Sequence, residues 1–191
     1  MAHVSIIGNG NMGQAISGIV TAGGNSVEVF GRADAQKPVT GDIVVLAVPY
    51  PAVADIIAQR SGQLAGKTVV DITNPLNFET FDSLTVPADG SAASEIAGAL
   101  PESRVVKAFN TTFAATLASS QIGQLPTTVL IAGDDPDAKA LLAEVISAGG
   151  LRTVDAGSLR RARELEALGF LQLTLAANDK IPWTGGFGVI N

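Results

Sequence analysis

Apolar positions along the chain fall into short runs that alternate with helical patterns almost from end to end. Runs at residues 4–7, 26–30, 42–48, 67–72, 104–109, 127–132 and 151–154 are rich in β-branched residues, as strands are. Several are apolar at successive positions, Ile43-Val44-Val45-Leu46-Ala47-Val48 being the clearest, so both faces must be covered, as at the centre of a parallel sheet. After the first run, Met12, Ala15, Ile16, Ile19 and Val20 recur at helical spacing and Gly23-Gly24 closes the helix. A later helix opens on Asp134-Asp135-Pro136, an acidic cap with proline in the first turn, and carries Leu141, Leu142, Val145 and Ile146. This alternation predicts an α/β fold of the Rossmann type, a doubly wound and mostly parallel sheet.

One connection is too short for that plan. Between Arg32 and Asp42 only residues 33–41 intervene, whereas a parallel crossover with its helix takes about ten to twelve residues or more. The usual third strand is therefore expected to be missing, with the second strand near the sheet edge. Residues 1–156 are read as the nucleotide-binding domain, and 157–191 as a C-terminal helix and tail within the same compact unit. Residues 167–177 are apolar nearly all round. Such a helix is buried on more than one side, by its own sheet edge or by a second subunit, and a homodimer is expected.

Composition narrows the partners. The 191 residues are 47% hydrophobic and 16% charged, with a net charge of -6. Acidic surfaces repel phosphate backbones and anionic lipid, so nucleic acid and membranes are not expected partners. The absence of cysteine removes disulfides, thiolate catalysis and thiolate metal sites. No apolar run approaches the ~18 residues of a membrane span, and the N-terminus lacks the basic start of a signal peptide. A cytoplasmic protein is expected.

The chemistry begins at the first turn. Gly8-Asn9-Gly10-Asn11-Met12-Gly13 fits G-x-G-x-x-G between a strand and an amphipathic helix, with a second strand to follow. In that setting Gly8 permits the tight turn, Gly10 lets backbone approach a pyrophosphate, and Gly13 lets the helix sit close to the strand. At the end of the second strand an NAD enzyme places Asp or Glu for the ribose hydroxyls. Here the strand runs into Gly31-Arg32: Gly31 leaves room for a 2′-phosphate, and the Arg32 guanidinium can pair with it. The cofactor read from these residues is NADP(H). The competing reading makes Arg32 a solvated surface residue and Asp34 the ribose ligand.

Other strand ends carry small or neutral polar groups suited to a nicotinamide ribose and carboxamide: Ala47-Val48-Pro49-Tyr50, Thr73-Asn74-Pro75 and Ala108-Phe109-Asn110-Thr111-Thr112. Asn74-Pro75 is equally readable as a plain turn, and Phe109 as core. His3 begins the first strand, away from the site, and Asp71 is read as a buried hydrogen-bonding carboxylate. No cluster has metal-ligand spacing and no Tyr-x-x-x-Lys pair is present. Asn110, Tyr50 and Lys107 are the groups most able to donate a proton or hydrogen bond, and none stands out as a general acid for a ketone.

These residues resemble the coenzyme F420-dependent NADP oxidoreductase family, which includes the cytoplasmic domain of the STEAP metalloreductases. The resemblance runs through Ile6-Ile7-Gly8-Asn9-Gly10-Asn11-Met12-Gly13, Gly31-Arg32, Asp71-Ile72-Thr73-Asn74-Pro75-Leu76, Val106-Lys107-Ala108-Phe109-Asn110-Thr111, Ala132-Gly133-Asp134-Asp135 and Asp155-Ala156-Gly157. It implies hydride transfer between NADP(H) and a deazaflavin or flavin ring, a small-molecule acceptor, usually in a homodimer. By the same resemblance Asn9, Gly10, Asn11, Met12, Arg32, Ala47, Val48, Pro49, Asn74 and Ala108 line the cofactor. Two further readings stand beside it, an NADPH-dependent imine or carbonyl reductase and a non-catalytic NADP sensor. The residues after 156 are too few for the helical domain that pyrroline-5-carboxylate and imine reductases append.

Overall fold

A computed structural model describes residues 1–190; Asn191, the last residue of the expected tail, lies outside the described residues. In chain order the elements are β1 (His3–Ile7), α1 (Asn11–Ala22), β2 (Ser26–Phe30), β3 (Ile43–Leu46), α2 (Val53–Leu64), β4 (Thr68–Asp71), α3 (Ala92–Ala99) and β5 (Arg104–Lys107). There follow α4 (Ala114–Ser119), a small hairpin of β6 (Gln121–Ile122) and β7 (Leu125–Pro126), then β8 (Thr128–Gly133), α5 (Pro136–Ala148), β9 (Arg152–Gly157) and α6 (Ala162–Ala177). Seven strands form one sheet in the order β2-β1-β3-β4-β5-β8-β9. The first five are parallel, β8 is antiparallel to β5, and β9 runs parallel to β8.

The strand order confirms the short connection. β1 pairs with β2 on one side and directly with β3 on the other, so β2 is the edge and no strand lies beyond it. Alternate residues of the parallel strands feed the two faces. Val4, Ile6, Ile43, Val45, Val70 and Val106 pack with Ile16, Ile19 and Val20 of α1 and with α5. Ile7, Val44, Leu46, Val69 and Val105 pack with Val53 and Leu64 of α2 and with Ala93 and Ile96 of α3. The Asp135 carboxylate caps α5 by accepting from Ala138 N at 2.8 Å, as the acidic cap predicted.

α6 is fastened to the sheet by charge. Lys107, at the end of β5, donates to Asp71 Oδ2 at 2.8 Å, to the Thr73 carbonyl at 2.6 Å and to Glu166 Oε1 at 2.8 Å. All three side chains are buried. Glu166 also accepts from Ala92 N at 2.9 Å and Ala93 N at 3.3 Å, so one carboxylate joins α6, β5 and the start of α3. Burial pushes the Glu166 carboxyl above its ordinary value, against the pull of Lys107. This also removes Lys107 from the candidate proton donors, because its ammonium is sealed inside the fold.

Lys107→Met leaves two buried carboxylates without their cation and should cost about 3–5 kcal/mol of stability at neutral pH. A carboxyl whose folded pKa lies above its unfolded value takes up a proton on folding, so stability rises as pH falls through the folded value. The deficit of the variant, read from urea unfolding, should therefore shrink as the solution is acidified and Glu166 protonates.

Candidate functional site

The glycine turn closes because backbone meets backbone. Gly8 has φ +121°, in the region that favours glycine, and a Cβ there would overlap the Ala47 carbonyl. A Cβ at Gly13 would overlap the Gly8 carbonyl, so that glycine sets how closely α1 sits on β1. Gly10 is different: nothing lies within 4 Å of where its Cβ would be, so its open face can receive a ligand. It precedes α1, whose first turn has no side-chain cap and no acidic residue, leaving backbone N–H groups and the positive end of the helix dipole directed outward.

Beyond this turn lies a cleft of about 520 Å³. Gly8, Asn9 and Gly10 of the turn, Gly31 and Arg32 after β2, and Ala47, Val48 and Pro49 after β3 all line it. These eight, all read from the sequence as cofactor-facing, line one cleft. The sequence missed the opposite wall, which α2 builds from Asp55, Ile56, Gln59 and Arg60. Arg32 is exposed and has no ion pair among the described residues. A Cβ on Gly31 would come within 2.9 Å of the Asn9 side-chain amide, which would have to swing aside to admit it. Asp34 is already engaged: Lys37 pairs with it at 2.6 Å and Gly31 N donates to it at 2.8 Å. Those two contacts hold its carboxyl below the usual carboxylate range. Asp34 therefore braces the turn from within.

A second cleft, about 390 Å³, opens on the other side of the α1 N-terminus. Asn11 and Met12 of the turn line it together with Asn74, Asn110, Phe113 and Trp183. Asn74 and Asn110 form a reciprocal pair across the ends of β4 and β5. Asn74 Nδ2 donates to the Asn110 carbonyl at 2.8 Å, and Asn110 Nδ2 donates to Asn74 Oδ1 at 2.9 Å and to the Leu165 carbonyl at 2.8 Å. The turn signal at Asn74-Pro75 is thus also a cross-strand clamp. α6 rests on the pair through Gly169, where a Cβ would overlap Asn74 Oδ1. Phe109 holds φ +63°, strained for a bulky residue, while Asn110 N donates to the Ala108 carbonyl at 2.8 Å. Phe109 itself is core. Asn110 Oδ1 and Thr73 Oγ1 are buried without a hydrogen-bond partner among the described residues. Trp183 packs on Phe113 at 5.0 Å between centroids, so this part of the tail lies on its own subunit.

The remaining candidates fall elsewhere. Ala108 is fully buried and lines neither cleft. Tyr50 faces a groove between α2 and α3 and donates to Glu95. Burial first, and the Glu95 hydrogen bond next, push its phenol above the ordinary value. His3 sits at the start of β1, bonded to Ser26 and Thr40. Among the described residues no cluster of His, Cys, Asp or Glu could hold a metal ion.

Comparison with known proteins gives this arrangement its setting. The F420-dependent NADP reductase of Methanocaldococcus jannaschii is 31% identical over 166 residues, covering 85% of this chain and 74% of that protein. The chain belongs to the F420-dependent NADP reductase family. Residues 25–75 match the family described as NADP oxidoreductase coenzyme F420-dependent. Rat metalloreductase STEAP3 is 30% identical over 195 residues, spanning 94% of this chain and 38% of its own length. A crystal structure from Arthrobacter sp. FB24, described as an F420-dependent NADP-reductase, superposes over the whole of both chains with a TM-score of 0.86 at 23% identity. An imine reductase of Streptomyces aurantiacus shares the fold at a TM-score of 0.66 and 16% identity, over 93% of this chain and 63% of its own.

The roles of Gly10 and Gly8 should separate experimentally. Gly10→Ala has space in the folded protein and should cost at most about 1 kcal/mol, the difference between the two residues before a helix, yet its methyl fills the face a ligand needs. Dinucleotide binding, followed by calorimetric titration, should weaken by roughly tenfold or more, equivalent to ~1.4 kcal/mol. Gly8→Ala should instead lower the unfolding midpoint, since both its φ and its contact with Ala47 forbid a side chain.

Proposed function

We propose that this chain is an NADP-dependent oxidoreductase that moves a hydride between NADP(H) in the first cleft and a flat flavin- or deazaflavin-like ring in the second. A bound nicotinamide supplies or accepts the hydride. The protein's part is to hold two rings in contact. The observation that carries the reading is the character of the second cleft: every residue lining it is neutral, from Asn11 and Met12 to Trp183. The two groups that could have acted as acids are elsewhere, Lys107 inside the ion cluster and Tyr50 on Glu95. Positioning alone can lower a barrier by ~7–11 kcal/mol, and a ring that accepts the hydride at carbon or nitrogen can take the balancing proton at another ring nitrogen from solvent, so no acid from the chain is required.

Gly8, Asn9, Gly10 and the α1 N-terminus hold the pyrophosphate, Arg32 takes the 2′-phosphate over the bare Gly31, and Ala47, Val48 and Pro49 flank the ribose. Asn110 offers its unpartnered Oδ1 to an N–H of the rings, with Nδ2 already committed to Asn74 and Leu165. The fit rests on that orphaned oxygen and on the open face of Gly10. Residues 1–156 thus carry the dinucleotide, and α6 with the tail to Ile190 completes the acceptor side. The deazaflavin choice follows the Methanocaldococcus relative, and the fold shared with imine reductases makes small imines the natural rival. An NADPH oxidation screen against F420, FMN, FAD, quinones, imines and small carbonyls decides it. Turnover is expected with a ring acceptor, Asn110→Ala lowering it most and Tyr50→Phe hardly at all. A loss of ~10²-fold or more at Tyr50 would reveal a general acid and favour the imine or carbonyl reductase. Binding without turnover on any acceptor would make the chain a sensor.

We also propose that the protein is a cytoplasmic homodimer without nucleic-acid or membrane partners. No described helix is long and apolar enough to cross a membrane, and the net charge is -6. Of the six large apolar residues that stand exposed among those described, Leu171, Trp183, Phe187 and Ile190 belong to α6 and the tail. α6 buries Glu166 and Gln172 inward while Leu171 faces out, so a second copy is the natural cover for that side. Light scattering at micromolar concentration should give twice the 19.4 kDa chain mass, and Leu171→Glu should shift it toward the monomer.

A further inference from the structure

We infer that Arg60, on α2, is a specificity-determining residue for the 2′-phosphorylated cofactor, acting by fixing the turn that presents Arg32. The inference rests on the first cleft being the NADP(H) site. Its starting point is the crossover that the sequence lacks. Residues 33–41 carry no strand and no α-helix, only a single 3-10 turn from Arg32 to Asp34, so their carbonyls lack ladder partners, although that of Asp34 accepts from Lys37 N at 3.0 Å. Arg60 supplies donors to them from across the cleft. Its Nη1 donates to the Lys37 carbonyl at 2.7 Å, and its Nη2 donates to the Asp34 and Ala35 carbonyls at 2.8 Å each.

The same guanidinium lies over the Phe30 ring, 5.4 Å from its centroid, and Phe30 is the last residue before Gly31-Arg32. Arg60 is buried yet makes no ion pair with a carboxylate among the described residues. One α2 side chain therefore grips both ends of the segment bearing Arg32: the ring before it and three carbonyls after it. Gln63, one turn further on, adds a tie by accepting from Val39 N at 2.8 Å. Only a planar fork with several donors and a stacking face can do this. Lysine keeps the charge but has neither the fork nor the face.

That difference gives a test independent of the amount of folded protein. The affinities of NADPH and NADH are measured on the same sample, and their ratio cancels any inactive fraction. Wild type should favour NADPH, and Arg32→Ala should abolish the preference by removing the direct contact. Arg60→Lys, with the cleft charge preserved, should cut the NADPH:NADH ratio about tenfold, NADPH affinity falling well beyond any loss of NADH affinity. Gln63→Ala, a milder change at an exposed position, should lower the ratio in the same direction by a smaller factor, and it serves if Arg60→Lys does not fold. A wild-type ratio retained in Arg60→Lys would overturn the inference, as would an unchanged ratio in Gln63→Ala were that the variant available. A wild-type ratio near one would instead sink the NADP reading itself, and the inference with it.

Discussion

The Gly8 backbone runs against the carbonyl of Ala47, and the carbonyl of Gly8 in turn against Gly13, with no room for a Cβ at either glycine. That double approach welds the end of β1 to the end of β3 and lays the start of α1 in the corner between them. Both clefts are consequences. Gly8, Asn9 and Gly10 face one, while Asn11 and Met12, the next two residues, face the other. A backbone pushed apart by one methyl group would displace the two walls together. The helix terminus stands at the junction with its N–H groups directed outward, and phosphate chemistry is the natural use of such a junction.

Closing the second cleft calls for a different device. α6 arrives after the sheet is complete and covers the ends of β4 and β5 with a face that is partly polar: Glu166 meets Lys107, and Gln172 is buried. Buried ion pairs add little net stability, because desolvation offsets the attraction. What they add here is register. With Glu166 fixed on Lys107 and on the start of α3, the Leu165 carbonyl and Gly169 fall on the Asn74–Asn110 pair. The uncompromised choice for a packed helix would be an apolar inner face. This helix has traded part of that for placement, and it leaves Leu171 outside.

At the edge of the sheet a short connection is held in place by a neighbouring helix. A longer crossover would normally stand beside β2. Here α2 bends a stacked arginine and a glutamine over to the truncated turn. The fold shared with imine reductases shows how little the scaffold itself says about chemistry. The distinguishing features are an arginine beside a glycine in the first cleft and a second cleft lined without acids or bases.

Much of this was legible in the residues. Strand runs, the first helix, the Gly8–Gly13 turn, Gly31-Arg32 and the missing crossover are local patterns, and local sterics and periodicity decide them wherever they occur. The core assignment of Phe109 and the structural role of Asp71 follow from apolar runs and strand position. Other features could not be read there. Ala108 stands in a matching motif yet is sealed in the core, because the strained turn at Phe109 points Asn110, and not its neighbour, into the cleft. Lys107 and Glu166 lie 59 residues apart, and Arg60 reaches carbonyls 23 to 26 residues upstream. Nothing in a one-dimensional pattern tells a surface arginine from one that holds a loop. The sequence alone determined the sheet, the glycine turn and the small, neutral strand ends that line the clefts, since each depends on neighbours within a few positions. Tertiary structure alone decided which polar groups are spent inside the fold and which remain for a ligand, since burial and hydrogen-bond partnership are properties of distant segments brought together.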